Sequence, residues 1–144
     1  MTQEEALDIL KMGHNVFLTG PAGSGKTYVL NSYIAYLKAN NIPVAITAST
    51  GIAATHMDGV TVHSWSGVGK RKSFEDSKDF FKVVNTPRVK ARVSKARVLI
   101  IDEVSMLDAK VLDLVSRVCS TVRENKEPFG GLQVVLCGDF FQLP

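Results

Sequence analysis

Gly20-Pro21-Ala22-Gly23-Ser24-Gly25-Lys26-Thr27 is a complete G-x-x-x-x-G-K-[ST] run, and its flanks decide the fold. A short apolar run, Val16, Phe17 and Leu18, leads into it. A helical pattern, Tyr28, Val29, Leu30, Tyr33, Ile34 and Leu37, leads out. Strand, glycine loop and helix in that order form a phosphate-binding loop. Glycines let the backbone curl so that successive N–H groups face a polyphosphate, and the helix N-terminus adds the positive end of its dipole. The run from Gly20 through Pro21, Ala22, Gly23, Ser24, Gly25, Lys26 and Thr27 to Tyr28 is therefore the predicted nucleotide-binding segment. Lys26 would reach the β- and γ-phosphates, and the Thr27 hydroxyl would ligate Mg²⁺. A chance glycine turn before a helix is the competing reading. It explains neither the Lys-Thr pair nor the strand ahead of the loop.

Working outward, four short runs rich in Val and Ile stand at Val16–Thr19, Val44–Ala48, Val98–Ile101 and Leu132–Cys137. Each is apolar without clear alternation, as suits central strands of a parallel sheet covered on both faces. Helix-like stretches separate them, at about 26–39, 51–57, 76–84, 87–94 and 105–124. Thr2-Gln3-Glu4-Glu5 reads as a capping box opening a further short helix that Gly13 and Asn15 break. Alternating β and α units predict an α/β fold, a P-loop NTPase with a mainly parallel sheet and helices on both faces. The segment Val60–Asp79, with Gly59, Gly67, Gly69 and the basic cluster Lys70, Arg71 and Lys72, reads as irregular.

The chain's 144 residues suit one domain. Its net charge of +3 is compatible with a polyanionic partner but too small to establish one. Cys119 and Cys137 fit no metal-ligand spacing and lie in apolar surroundings, which predicts buried, reduced thiols in an intracellular setting. No apolar run approaches the ~18 residues of a membrane span, and Glu4, Glu5 and Asp8 near the N-terminus argue against a signal peptide.

Leu99-Ile100-Ile101-Asp102-Glu103 is an apolar strand ending in two acids. Beside a phosphate-binding loop, the first acid at a strand end holds Mg²⁺ and the second can take a proton from the water attacking the γ-phosphate. The turn at the strand end would let both carboxylates reach one crevice, although neighbours on a strand point apart. Having both acids favours hydrolysis over nucleotide-kinase chemistry. Gly138-Asp139-Phe140-Phe141-Gln142-Leu143-Pro144 follows the last strand, and Gln142 there could sense the γ-phosphate, with an ordinary turn as the plainer reading.

Taken together, Gly20–Thr27, Thr50-Gly51-Ile52-Ala53-Ala54, Asp102-Glu103-Val104-Ser105-Met106-Leu107, Pro128-Phe129-Gly130-Gly131 and Gly138–Pro144 resemble superfamily 1 DNA helicases. The likeness is greatest to the Pif family, with the RecD helicases as relatives, and it spans Thr2 to Pro144. The resemblance implies a RecA-like motor domain that couples ATP hydrolysis, with Mg²⁺, to 5′-to-3′ movement on single-stranded DNA or a tailed duplex. It gives Gln3 to the adenine edge, Lys26 to the phosphates, Thr27 and Asp102 to the metal, Glu103 to the attacking water and Gln142 to γ-phosphate sensing. Thr50, His63 and Ser64 fall where the family contacts the DNA strand. Trp65 is either a base-stacking platform or a core residue, and Lys70, Arg71 and Lys72 either track phosphate or form a solvated loop.

A motor of this class needs a second RecA-like domain carrying an arginine finger, and Arg88, Arg92 and Arg97 do not match the finger's position. Because a finger is worth ~10³–10⁵ in rate, residues 1–144 are expected to be the first motor domain of a longer helicase, a monomer and weakly active alone. Its expected location is the cytoplasm of a prokaryote, or the nucleus or mitochondrion of a eukaryote. Two rival readings are a self-contained P-loop kinase, which the Thr50–Ala54 and Asp102-Glu103 motifs fit poorly, and a nucleotide-gated binding module in which Glu103 is idle.

Overall fold

A computed structural model describes residues 1–20 and 25–139. Five strands form one sheet in the order β1-β5-β4-β2-β3, with every neighbouring pair parallel. They are β1 (Val16–Thr19), β2 (Val44–Ala48), β3 (Val60–Thr61), β4 (Val98–Asp102) and β5 (Gln133–Gly138). The helices are α1 (Gln3–Lys11), α2 (Lys26–Ala39), α3 (Gly51–His56), α4 (Val62–Ser66), α5 (Ser77–Val84), α6 (Pro87–Lys95) and α7 (Ala109–Val122). The α/β class and the four apolar strands stand as the sequence implied.

The central strands are apolar throughout because each serves two cores. Along β4, Val98 and Ile100 pack with Leu10 of α1 and Leu30, Tyr33 and Leu37 of α2. Leu99 and Ile101, pointing the other way, pack with Val93 of α6 and Val115 and Val118 of α7. Alternate side chains of a strand face opposite sides of its sheet, so a strand sandwiched between helices has no polar face. Tyr33, inside this layer, donates its hydroxyl to Gln133 Oε1 at 2.7 Å, and Gln133 Nε2 donates in turn to the Leu10 and His14 carbonyls. That chain ties α1 and α2 to the start of β5.

Two expectations need correction. The helix read over 105–124 begins only at Ala109, after a 3-10 turn at Val104–Met106. Asp108 accepts from the Lys110 N–H and sets the true N-terminus, a competing side-chain cap that apolar spacing does not reveal. The segment read as irregular opens with β3 and α4. A two-residue strand and a five-residue helix are too short to display any periodicity.

Strand order positions the site. Thr19 pairs with Gly138 and Ile101 with Leu136, so β5 lies between β1 and β4. The loop after β1 and the acids ending β4 therefore leave the sheet at the same carboxyl-terminal edge, one strand apart. Open parallel sheets hold their ligands at that edge.

Candidate nucleotide site and its neighbouring surface

Both described ends of the glycine loop use backbone that favours glycine: φ is 148° at Gly20 and 93° at Gly25. A Cβ on Gly25 would lie 2.0 Å from Gln3 Nε2, so the Gln3 amide rests directly on the residue that closes the loop. Gln3, Phe17, Gly25, Lys26 and Val29 help line a cavity of about 560 Å³ here. Among the described residues no side chain caps the N-terminus of α2, and no acid stands in its first turn. Its leading N–H groups and its dipole are thus left for an anion. Lys26 Nζ donates to the Gly20 carbonyl, spanning the loop from its helical end to its strand end. Thr27 and Tyr28 are exposed on the same first turn. Pro21, Ala22, Gly23, Ser24 and Gln142 lie outside the described residues.

The acid pair is held by its backbone. Glu103 turns out of β4 in the left-handed region, at φ 54° and ψ 41°. That turn resolves the strand-parity difficulty, since it releases the second carboxylate from the alternation of the first. Glu103 N–H donates to Asp102 Oδ1 at 2.9 Å, and Ser49 N–H donates to the Asp102 carbonyl at 3.1 Å. Ser49 Oγ donates to the Glu103 carbonyl at 2.6 Å. Ser49, buried at the end of β2, is a supporting residue that sequence reasoning missed, although it adjoins Thr50.

Cys137 stands on β5, between the strand that feeds the loop and the strand that ends in the acids. Burial pushes its thiol up to about 12, with the Asp102 charge and hydrogen bond acting in the same direction and Lys26 opposing. Glu103 adds its own charge to the effect. One thiol on β5 is thus near enough to feel the lysine from the α2 side and both acids from β4. Nothing in the spacing of Cys137 announced a place in the site.

The donor set suits Mg²⁺. A threonine hydroxyl and a carboxylate are hard oxygen ligands, and magnesium keeps waters and substrate phosphates as its remaining ligands. Among the described residues no group of three or more His, Cys, Asp or Glu is arranged to hold a metal by itself. An ion here would rest on Thr27, Asp102 and the phosphates together.

A family model described as PIF1-like helicase matches residues 2–144. The chain belongs to the PIF1-like helicase family. It is 59% identical, over its whole length, to the ATP-dependent DNA helicase Pif1 of Psychrobacter sp. (strain PRwf-1), covering 22% of that protein. It is 43% identical to the ATP-dependent DNA helicase PIF1 of Saccharomyces cerevisiae (strain YJM789) over 99% of the chain and 17% of that protein. The chain therefore spans about a fifth of the length of these relatives. Among solved structures, the Pif1 helicase of Candida albicans superposes with a TM-score of 0.88 at 41% identity, covering 99% of this chain and 32% of that one. A Bacteroides Pif1 in complex with ADP-AlF3 and ssDNA superposes with a TM-score of 0.81 at 34% identity, over 99% and 32% of the two chains.

In this Pif1-like chain the three residues read as strand contacts stand on two neighbouring short helices. Thr50 caps α3, accepting from the Ala53 N–H at 3.2 Å, and remains exposed. His63, half-buried, and Ser64, exposed, lie on α4. Trp65 is only 4% exposed and packs in the core among α4, α6 and α7, so the core reading of its ring holds and the stacking one fails. The basic cluster divides. Arg71 pairs with Asp79 at 2.9 Å and donates to the Gly67 and Val68 carbonyls, while Lys70 and Lys72 stay exposed. Arg123, the C-cap of α7, donates to the carbonyls of Gly130, Val93 and Ala96, fastening α7 to the end of α6 and to the Pro128–Gly131 turn.

Proposed function

We propose that this chain is the first RecA-like motor domain of an ATP-dependent 5′-to-3′ DNA helicase, a monomer that continues into a second RecA-like domain. The observation that carries the reading is the strand register, which brings the loop that Lys26 closes on Gly20 and the acids Asp102 and Glu103 to one edge of the sheet. Those are a phosphate-binding cation, a metal-binding carboxylate and a base, at the edge where a parallel sheet takes its ligand. Lys26 holds the β- and γ-phosphates, Thr27 and Asp102 hold Mg²⁺, and Gln3, resting on Gly25, meets the adenine edge. Gly20 to Ser24 and Tyr28 complete the nucleotide contacts, and Gln142 reads the γ-phosphate. When bound, Mg²⁺ neutralises charge on the phosphates. Glu103, exposed at its left-handed turn, takes the proton from the attacking water. Thr50, His63 and Ser64 hold the sugar-phosphate backbone of single-stranded DNA through hydroxyl, imidazole and N–H groups, which grip a strand without reading its sequence.

The relatives support both partners. The matched Bacteroides protein is a Pif1 holding ADP-AlF3 and ssDNA, and relatives several times longer leave room for the second domain and its arginine finger. An intracellular, DNA-bearing compartment follows from the activity. No helix among the described residues is long and apolar enough to cross a membrane.

The test is ATP hydrolysis by the full-length protein with and without oligo(dT), together with unwinding of duplexes tailed at one end. Turnover is expected to rise on adding the oligonucleotide, with a 5′-tailed duplex opened and a 3′-tailed one left closed. ATP turnover indifferent to single strands would favour the self-contained kinase, and binding without turnover would favour the nucleotide-gated module.

A further inference from the structure

We propose that Arg92 and Arg71 are positioning residues that fix the backbone of residues 62–68 and so present His63 and Ser64 to the DNA strand. This rests on the reading that His63 and Ser64 touch DNA. The reason for the device is length. α4 has five residues, and the last four carbonyls of any helix lack partners within it. A helix that short does not hold itself together. Its neighbour in the sheet, β3, contributes two residues and little support.

Some carbonyls of the segment accept from local donors, Ser64 O from the Gly67 N–H and Val68 O from the Arg71 N–H, both at 3.2 Å, and others are met by side chains. Val62 O accepts from Ser66 Oγ at 2.7 Å and His63 O from the Gly69 N–H at 3.0 Å. Trp65 O accepts from Arg92 Nε at 2.7 Å, and Ser64 O from Arg92 Nη2. Arg71 Nη1 then donates to Gly67 O at 3.3 Å and Val68 O at 3.2 Å. Two guanidinium groups thus capture two adjacent pairs of carbonyls on either side of Ser66. A cation is favoured there, because carbonyls at a helix C-terminus carry its negative dipole end. The planar fork of arginine reaches two oxygens at once, which a lysine cannot reproduce.

Each arginine is anchored in a different element. Arg92 comes from α6, and its half-buried position keeps its donors directed inward. Arg71 is held by Asp79 of α5, which accepts from its Nε and Nη2 at 2.9–3.2 Å. Gly67, the first residue of the second captured pair, permits the close approach. It has φ 77°, and a Cβ there would lie 2.7 Å from Val89 Cγ2 on α6. The strand-contact helix, packed into the core through Val62 and Trp65, is thus also tethered to α5 and α6 by two side chains.

The experiment measures fluorescent oligo(dT) binding to the full-length protein for Arg92→Gln, His63→Ala and the pair, with a fluorescent ATP analogue as control. Arg92→Gln is expected to weaken oligo(dT) binding about tenfold, or about 1.4 kcal/mol, while leaving the analogue's affinity within about twofold. The double variant should bind no more weakly than the worse single one, since both act through the same contact. The slope of log affinity against log salt should match the parent's, because a positioning arginine neutralises no phosphate. Amide exchange over 62–69 should quicken, and Arg92→Lys should restore only part of the affinity. An unchanged affinity in Arg92→Gln beside a weakened His63→Ala overturns the inference, as does a salt slope reduced by about one, which marks a direct phosphate contact. If His63→Ala itself binds normally, the DNA-contact reading falls instead. Should Arg92→Gln not fold, Asp79→Asn releases Arg71 at a half-buried position outside the core, and the same readings apply.

Discussion

The nucleotide edge and the 61–79 segment lie on one sheet yet are built on opposite plans. At the nucleotide edge, side chains stand ready for a ligand because the backbone beneath them is held by sheet pairing. Asp102 closes a strand whose other four residues are buried, and Ser49 pins the turn that follows. In the 61–79 segment the side chains are turned to structural use, with Arg92, Arg71 and Asp79 standing in for a sheet that supplies only two residues. Where strands are long, function can be set on their ends. Where they are short, charged residues that resemble ligand-binding groups are drawn into holding the chain in place.

If the plans differ in this way, substitutions at the two places should part company. The largest effect belongs to Glu103→Gln. The amide keeps the shape but cannot accept a proton, so DNA-stimulated turnover in the full-length protein should fall by about 10²–10⁴. ATP affinity and melting temperature should both hold, because Glu103 is exposed and the hydrogen bonds that hold this turn are made by its backbone. A variant that also melted early would break the contrast from the catalytic side.

Gly59→Ala, just ahead of β3, should behave in the reverse manner. Its Cβ would lie 2.4 Å from the Ile46 carbonyl oxygen, a backbone atom that cannot swing aside. A loss of about 1–3 kcal/mol in stability is expected from forced overpacking, read by denaturant melts, with weakened DNA binding and preserved nucleotide affinity. Equal losses of both ligands would mean that the segment and the nucleotide edge move as one unit.

The smallest effect concerns pH. The Arg71 side chain, followed by the Glu75 N–H, holds the Asp79 carboxyl below its usual value of 3.8. A lowered carboxylate stabilises the fold above the usual value, and that contribution is lost as pH falls through the lowered one. The gap in melting temperature between the parent and Asp79→Asn should therefore be steady near neutrality and close only below about pH 3.8. A gap that closes near pH 6 would assign the effect to a histidine. A gap that salt abolishes at neutral pH would reduce the pair to ordinary surface attraction.

The two regions were unequally legible in the sequence, and for the same reason that they differ in build. Val98–Ile101 and Asp102-Glu103 could be read directly, since a sandwiched strand must be apolar and its acids must lie at its end. Gln3 could be read only through family likeness, because its place on Gly25 depends on how α1 packs against α2. Cys137 and Ser49 gave no signal, being brought to the acids by pairing between strands distant in the chain. Arg92 was visible only as a residue that failed to be a finger. Its partners lie 27 and 28 positions earlier and are backbone oxygens, which carry no residue identity for a sequence to display.

The left-handed turn at Glu103 carries one more consequence. A glutamate in that conformation is strained relative to glycine, so a random drift toward glycine would make the turn easier to form while removing the proposed proton acceptor. Selection for robustness and selection for turnover therefore pull in contrary directions at this single position, and a stabilised but idle form of the motor lies one substitution away.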